Sequence, residues 1–258
     1  MRVLVVTAVP AERDAVTRAL GDLSEVAVHE VPGAQVHRVA APGGAGVVDV
    51  LAGGAGPAAA AAAAAFGLAS AVSAAVPSAS EPGPGPHSAP YDLVVSAGIG
   101  GGFVPVAPVG SLVVASRIVA ADLGAETPEG FVPVTALGFG RDWYLPPRSL
   151  VRDVAAATGA LTGEILTVST VTGSAERAAA LLAAHPRAAA EAMEGFGVAE
   201  AAERTGLPVL ELRAVSNAIG PRDRDAWRIG DALAALSGAF GKLVPVLEGW
   251  THHDRHAS

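Results

Sequence analysis

The sequence predicts an α/β protein in three layers, with a twisted, mostly parallel mixed central sheet flanked by helices. Three observations carry this. Short apolar runs rich in Val and Ile alternate with stretches of helical composition, the links between successive runs are too long for hairpins, and polar or glycine-rich turns recur where the runs end. Turns of that kind collect at one edge of such a sheet, where α/β enzymes place their chemistry.

A chain of 258 residues, 51% hydrophobic, is long enough to bury a sizeable core. It reads as a single domain over 1–250, with a surface-loop insertion at 77–90 and a polar tail at 251–258. The formal net charge is −8, and the basic residues cluster nowhere beyond Arg222-Asp-Arg224, which argues against nucleic acid as a partner. With no cysteine there is no disulfide framework, thiolate metal site or thiol nucleophile. The apolar start Met1–Thr7 runs into Pro10 and Glu12, too short for a secretory signal, so the expected location is cytoplasmic. The alanine tract Ala58–Ala65, interrupted nearby by Gly67 and Ser70, reads as a core helix, so no membrane is expected either.

In chain order, Arg2–Thr7 is a buried strand. A helix over Ala11–Leu20 follows, with Pro10 at its start and Gly21 as its stop, so that Glu12 sits at a strand-to-helix junction. An acid there has an ordinary explanation in the helix dipole and a functional one in catalysis. Val26–Ala40 alternates around Pro32-Gly33 as a hairpin, and Val47–Leu51 is a further strand. Gly53-Gly-Ala-Gly-Pro57 then turns into the alanine-rich helix and lacks the Lys and Ser/Thr of a phosphate-binding loop. Pro77–Pro90, crowded with Pro, Gly and Ser, is a surface loop.

Asp92–Phe103 reads as a buried strand ending in the glycine turn Gly98-Ile-Gly-Gly-Gly102. Phe103 stands where a dinucleotide fingerprint needs its last glycine, and Pro105 and Pro108 follow, so no nucleotide cofactor is expected. Gly110–Val119 is the next strand. Asp122–Arg148 reads as a long loop over the site, and its Arg141, Trp143 and Tyr144 either grip an anionic or aromatic ligand or pack as ordinary surface. Glu164–Gly173 is a strand ending in a polar turn, Ser174 caps a helix, and Glu191–Thr205 is helical until Gly206 and Pro208. Val209–Val215 is the last strand. Ile229, Leu233, Leu236, Phe240, Leu243 and Leu247 then mark a long amphipathic helix that Pro245 kinks or ends. His252, His253 and His256 lack partners at ligand spacing and read as solvated, so no metal is expected.

Four stretches resemble the nucleoside phosphorylase and nucleosidase superfamily, in that family's order: Val3 to Glu12, Ser96–Gly102, Ala192-Met-Glu-Gly195 and Arg213-Ala-Val-Ser-Asn217. Together they extend over most of the chain. They imply the three-layer nucleosidase fold, no cofactor, a purine nucleoside as the small-molecule partner and a homo-oligomer. By the same resemblance Glu12 activates water and Met193 and Glu194 hold the ribose. The acid that meets the purine N7 in adenosine-type members falls on Asn217. An amide donates through its NH2 and supplies no acid proton, which suits a 6-oxo base.

The set Gly98–Phe103, Thr167–Gly173, Met193-Glu-Gly and Ser216–Gly220 is similar to the futalosine hydrolase branch, which releases hypoxanthine from futalosine on a route to menaquinone. The resemblance then implies Gly98, Ile99, Thr170, Val171, Met193 and Ser216 as substrate-binding residues beside the catalytic Glu12, Glu194 and Asn217, and Arg141 joins the substrate-binding set from its charge alone. Arg141, Arg222 and Arg224 are charge-based candidates for the substrate carboxylate, and water or Asp223 for the N7 proton. Phosphorolysis is disfavoured, because Ser96 stands where phosphorylases place a phosphate-binding Arg and Ile99 where they place a hydroxyl. Methylthioadenosine-type nucleosidase, purine phosphorylase and a non-catalytic nucleoside sensor are the alternatives.

Overall fold

The computed structural model describes residues 1–21, 26–41, 46–74 and 91–254. The expected loop at 77–90 and the last residues of the tail, His256 among them, lie outside these.

β1 (Arg2–Thr7) is the central strand. It pairs in parallel with β4 (Val47–Ala52) on one side and β5 (Leu93–Gly102) on the other. Its side chains alternate by two, so Val3 and Val5 enter one core and Leu4 and Val6 the other. The first core is covered by α1 (Pro10–Leu20), α3 (Arg148–Thr158) and α6 (Ile229–Asp254), the second by α2 (Pro57–Ala74) and α5 (Gly195–Arg204). The expected hairpin is β2 (Ala27–Val31) with β3 (Ala34–Ala40), and β3 adds antiparallel to β4 at the sheet edge.

The other half of the sheet curls closed. β5 continues in parallel to β12 (Val209–Ala218), β12 pairs antiparallel with β6 (Leu112–Ala120), and β6 runs parallel to β10 (Leu161–Thr167). β10 pairs in parallel with β11 (Ala188–Ala192), whose Ala190 and Glu191 return antiparallel to Gly102 and Gly101 of β5. The sheet is therefore more mixed than the crossover lengths predict, with antiparallel seams at β12–β6 and β11–β5 where it closes. α4 (Ala175–Ala184) covers a third cluster around Phe103, Leu166 and Val168, and Ser174 caps it by accepting from the Arg177 N–H at 3.1 Å.

Four local expectations change. Gly98–Gly102 is the end of strand β5, not a turn: a Cβ on Gly100 would lie 2.7 Å from the Glu191 carbonyl and one on Gly102 2.1 Å from that of Ala107, so bare backbone is what lets the strands converge. Glu191 belongs to strand β11, and the helix begins only at Gly195. The stretch 122–148 contains the hairpin β7 (Gly124–Thr127) and β8 (Gly130–Pro133), and then β9 (Trp143–Tyr144), which pairs with β6. α6 passes through Pro245 to Asp254, so the tail expected from 251 starts as helix. By length and composition α6 matches a membrane span, yet its stripe of Leu236, Phe240, Leu243 and Leu247 is buried in the core.

Candidate active site

The ends of β5, β11 and β12, the β1–α1 junction and the segment 219–227 surround a cleft of about 520 Å³. A depression of about 580 Å³ between β6, α3 and α6 has Lys242 as its one charged lining residue, and so holds no acid–base pair.

Glu12 lies in the first turn of α1, as the strand–Pro–helix pattern places it, with its side chain turned inward and only 3% exposed. One oxygen accepts the Ala8 and Val9 N–H groups at 2.9 and 3.2 Å, and the other accepts Ile99 N–H at 2.8 Å. Burial raises its pKa above the ordinary carboxylate value, while the Ile99 N–H and the Arg213 charge pull the other way. A fixed, partly desolvated carboxylate of this kind suits a base that works near neutral pH.

Glu194 stands at the start of α5. It accepts Gly56 N–H at 3.3 Å and receives Nη1 of Arg213 at 3.1 Å. Arg213, fully buried in β12, also holds Glu211 at 3.0 Å and donates to Ser96 Oγ at 2.8 Å. Burial lifts Glu211 to about 7 against the pull of Arg213. Burial disfavours the Arg213 charge, but Glu211, Glu194 and Glu12 outweigh it and hold its pKa above the ordinary value. Arg213 and Glu211 are the residues that sequence reasoning did not assign. Their signal was present as two charges alternating within an apolar strand, where burial obliges pairing.

Asn217 follows a bulge in β12: Val215 pairs with Gly100 and Asn217 with Gly101, leaving Ser216 extra. Asn217 Nδ2 donates to the Ala218 carbonyl at 3.0 Å, which fixes the amide orientation, because a carbonyl only accepts. Oδ1 therefore takes the Ser216 hydroxyl proton at 2.8 Å, and the second Nδ2 hydrogen is left for a ligand. Met193, Ile99, Val171 and Ser216 line the cleft as expected. Trp227 lines it too, with Arg222 and Arg224 over its indole at 5.3 and 5.7 Å, and Arg222 and Asp223 are on the cleft wall.

Three expected substrate contacts are elsewhere. Gly98 is packed beneath the site, where a Cβ would meet Glu12 Oε1 at 2.6 Å and Arg213 Nη1 at 2.7 Å. Thr170 is exposed and off the cleft wall, which passes instead through Val171 and Thr172. Arg141 pairs with Glu203 at 2.6 Å on the exposed outer side of α5 and lies near the Tyr144 ring, because β9 draws this segment to β6 and away from the cleft. Tyr144 in turn donates to Glu200, and Trp143 carries Arg117 over its ring at 4.3 Å. Among the described residues no cluster of acidic and histidine side chains has the makings of a metal site.

Residues 2–244 match the family described as the phosphorylase superfamily. The chain is 60% identical over 256 residues to the futalosine hydrolase of Streptomyces coelicolor, covering 99% of this chain and 100% of that one. In fold it is similar to a methylthioadenosine/S-adenosylhomocysteine nucleosidase from Colwellia psychrerythraea, solved with adenine, with a TM-score of 0.77, 23% identity and 96% coverage of each chain. It is also similar to a futalosine hydrolase mutant from Helicobacter pylori, with a TM-score of 0.75, 17% identity and coverage of 95% of this chain and 99% of that one.

Proposed function

The chain belongs to the phosphorylase superfamily and within it to the futalosine hydrolases, and from that premise we propose that it cleaves the N-glycosidic bond of futalosine with water, releasing hypoxanthine and dehypoxanthine futalosine in menaquinone biosynthesis. One observation carries the choice of water. The wall around Glu12 presents the carboxylates of Glu12 and Glu194, and the adjacent guanidinium of Arg213 is already committed to Glu194, Glu211 and Ser96. Arg213, the guanidinium beside Glu12, is thus not free to hold a phosphate dianion.

Loss of the base leaves positive charge on the ribosyl carbon and ring oxygen, which buried carboxylates stabilise. Glu12 takes a proton from water as the water oxygen bonds to C1′. The C1′–N9 bond breaks and its electron pair leaves with the base. This proton transfer contributes about 10²–10⁴-fold. Glu194, fixed by Arg213, accepts the ribose hydroxyls, Met193 packs under the sugar, and Asn217 donates to the hypoxanthine edge. Water at the open mouth beside Asp223 supplies the proton that the departing base takes up. Arg222, held against Trp227, meets the benzoate-type carboxylate of the substrate, and Arg224 contacts the same indole. A cytoplasmic homo-oligomer accords with the family resemblance, and exposed apolar side chains such as Val104, Val106, Phe131 and Phe139 support association.

Chromatography of purified protein with futalosine, inosine and methylthioadenosine, with and without phosphate, tests this. Hypoxanthine released from futalosine independently of phosphate is expected. Phosphate-dependent release would make the protein a phosphorylase, preference for methylthioadenosine would make it an adenine nucleosidase, and tight binding without release would make it a sensor.

A further inference from the structure

Glu191 is a buried carboxylate on the cleft wall that the chemistry above does not use. Strand register places it with care. On β5, Gly101 has Asn217 of β12 as its partner on one side and Glu191 of β11 on the other. The three residues form one row across the sheet. Directly paired residues point to the same face, and both flanking side chains line the same cleft. Strands lie about 4.8 Å apart, so the two flanking Cα atoms are separated by roughly 10 Å with a bare glycine between them. A Cβ on Gly101 would come within 3.3 Å of Asn217 Nδ2 and 2.7 Å of Ile219, so any larger residue would intrude on the space between donor and acceptor.

Glu191 is held for use. Thr172 donates its N–H to one carboxylate oxygen at 2.8 Å and its hydroxyl to the other at 2.5 Å. Two carboxylate oxygens have about four acceptor positions, so these bonds fix the group and leave roughly half of its capacity for a ligand. Among the described residues no Lys or Arg forms an ion pair with it.

We propose that Glu191 is a specificity-determining residue that accepts the N1–H of a 6-oxopurine while Asn217 donates to O6, with Thr172 as its positioning residue. The pair selects by hydrogen-bond polarity. Hypoxanthine offers a donor at N1 and an acceptor at O6; adenine offers a bare nitrogen at N1 and a donor at the 6-position, so both contacts become repulsive. The inference rests on the proposed hydrolysis of a hypoxanthine nucleoside.

The test compares kcat/KM of wild type, Glu191→Gln and Thr172→Val on three nucleosides that differ only in the base: 6-oxo, 6-amino and N1-methyl-6-oxo. Wild type is expected to favour the 6-oxo base and to process the N1-methyl form poorly. Glu191→Gln, whose amide can donate to a bare N1, is expected to lower the 6-oxo to 6-amino ratio by about tenfold or more, and Thr172→Val to lower it less with the carboxylate still present. An unchanged ratio in Glu191→Gln, or full turnover of the N1-methyl substrate by wild type, would overturn the proposal. The melting temperature with hypoxanthine or adenine alone provides a readout independent of turnover. If wild type released no hypoxanthine, the hydrolase reading would fall. The Glu191 assignment would then stand if hypoxanthine stabilised wild type more than adenine did and Glu191→Gln removed the difference, and it would fall if the two bases behaved alike.

Discussion

Gly98→Ala adds a single methyl group beneath the site and should disable it. The residue is in a strand and outside the left-handed region, so alanine brings no backbone strain. The added Cβ would lie 2.6 Å from Glu12 Oε1 and 2.7 Å from Arg213 Nη1. Restoring ordinary contact requires the carboxylate oxygen to retreat by roughly 0.8 Å, which stretches the 2.8 Å bond from Ile99 N–H beyond hydrogen-bond range. A hydrogen bond to a charged group contributes about 1.5–3 kcal/mol, so kcat/KM should fall about 10- to 100-fold if the loss is felt in the transition state. Steady-state hypoxanthine release gives the rate, and circular dichroism melting shows whether the fold persists. The decisive control is Glu12→Asp, whose shorter side chain makes room for the methyl on the carboxylate side and leaves the Arg213 contact: in that background Gly98→Ala should cost less than it does in wild type. Full additivity of the two changes, or Gly98→Ala within twofold of wild type, would refute the reasoning.

Glu12→Gln should abolish turnover with the fold intact, and wild-type kcat/KM should fall with acidity through an inflection above the ordinary carboxylate value, because burial raises the Glu12 pKa and the protonated form cannot accept a proton; undiminished activity in the amide variant would remove Glu12 from its role. Asn217→Asp should move preference toward 6-amino purines, read as the ratio of inosine-type to adenosine-type turnover, and an unchanged ratio counts against the donor argument. Arg222→Ala should raise KM for futalosine more than for inosine, which lacks the carboxylate; equal effects on both would place Arg222 outside that contact. For Glu211, lifted from 4.5 to about 7, the folded state binds the extra proton between those values, so stability falls as pH rises through that window. Melting of wild type against Glu211→Gln from pH 5 to 8 should show wild type losing ground as pH rises, and parallel curves would contradict the shift.

Much of the fold was legible because its elements obey local rules. β1 is a β-branched run, α1 opens at a proline and α6 repeats every three to four residues, and each lies close to where those patterns put it. Glu12, Met193, Glu194, Ser216 and Asn217 reach one cleft as the resemblance implied. What escaped depends on partners distant in sequence. Gly98–Gly102 has the local look of a turn, but β11 and β12 claim it as strand. Glu191 precedes a helix and was read as part of it, because nothing nearby reveals the antiparallel seam. Arg141 had charge and aromatic neighbours to recommend it, and only the pairing of β9 with β6 shows that it faces Glu203.

The seam between β5 and β11 also bears on how the protein comes into being. Gly101 and Glu191 are partners, yet 90 positions separate them in the chain. Such non-local pairing is slow, since loop closure must precede any gain from contact. A nascent polypeptide halted before Ala188 would therefore contain β1, β4 and all of β5 but neither β11 nor β12, leaving the glycine end of β5 as an open edge, exposed to unwanted strand pairing. The pocket wall that carries Glu191 and Met193 is completed only when β11 pairs with β10 and β5, so competence to bind substrate depends on this long-range seam.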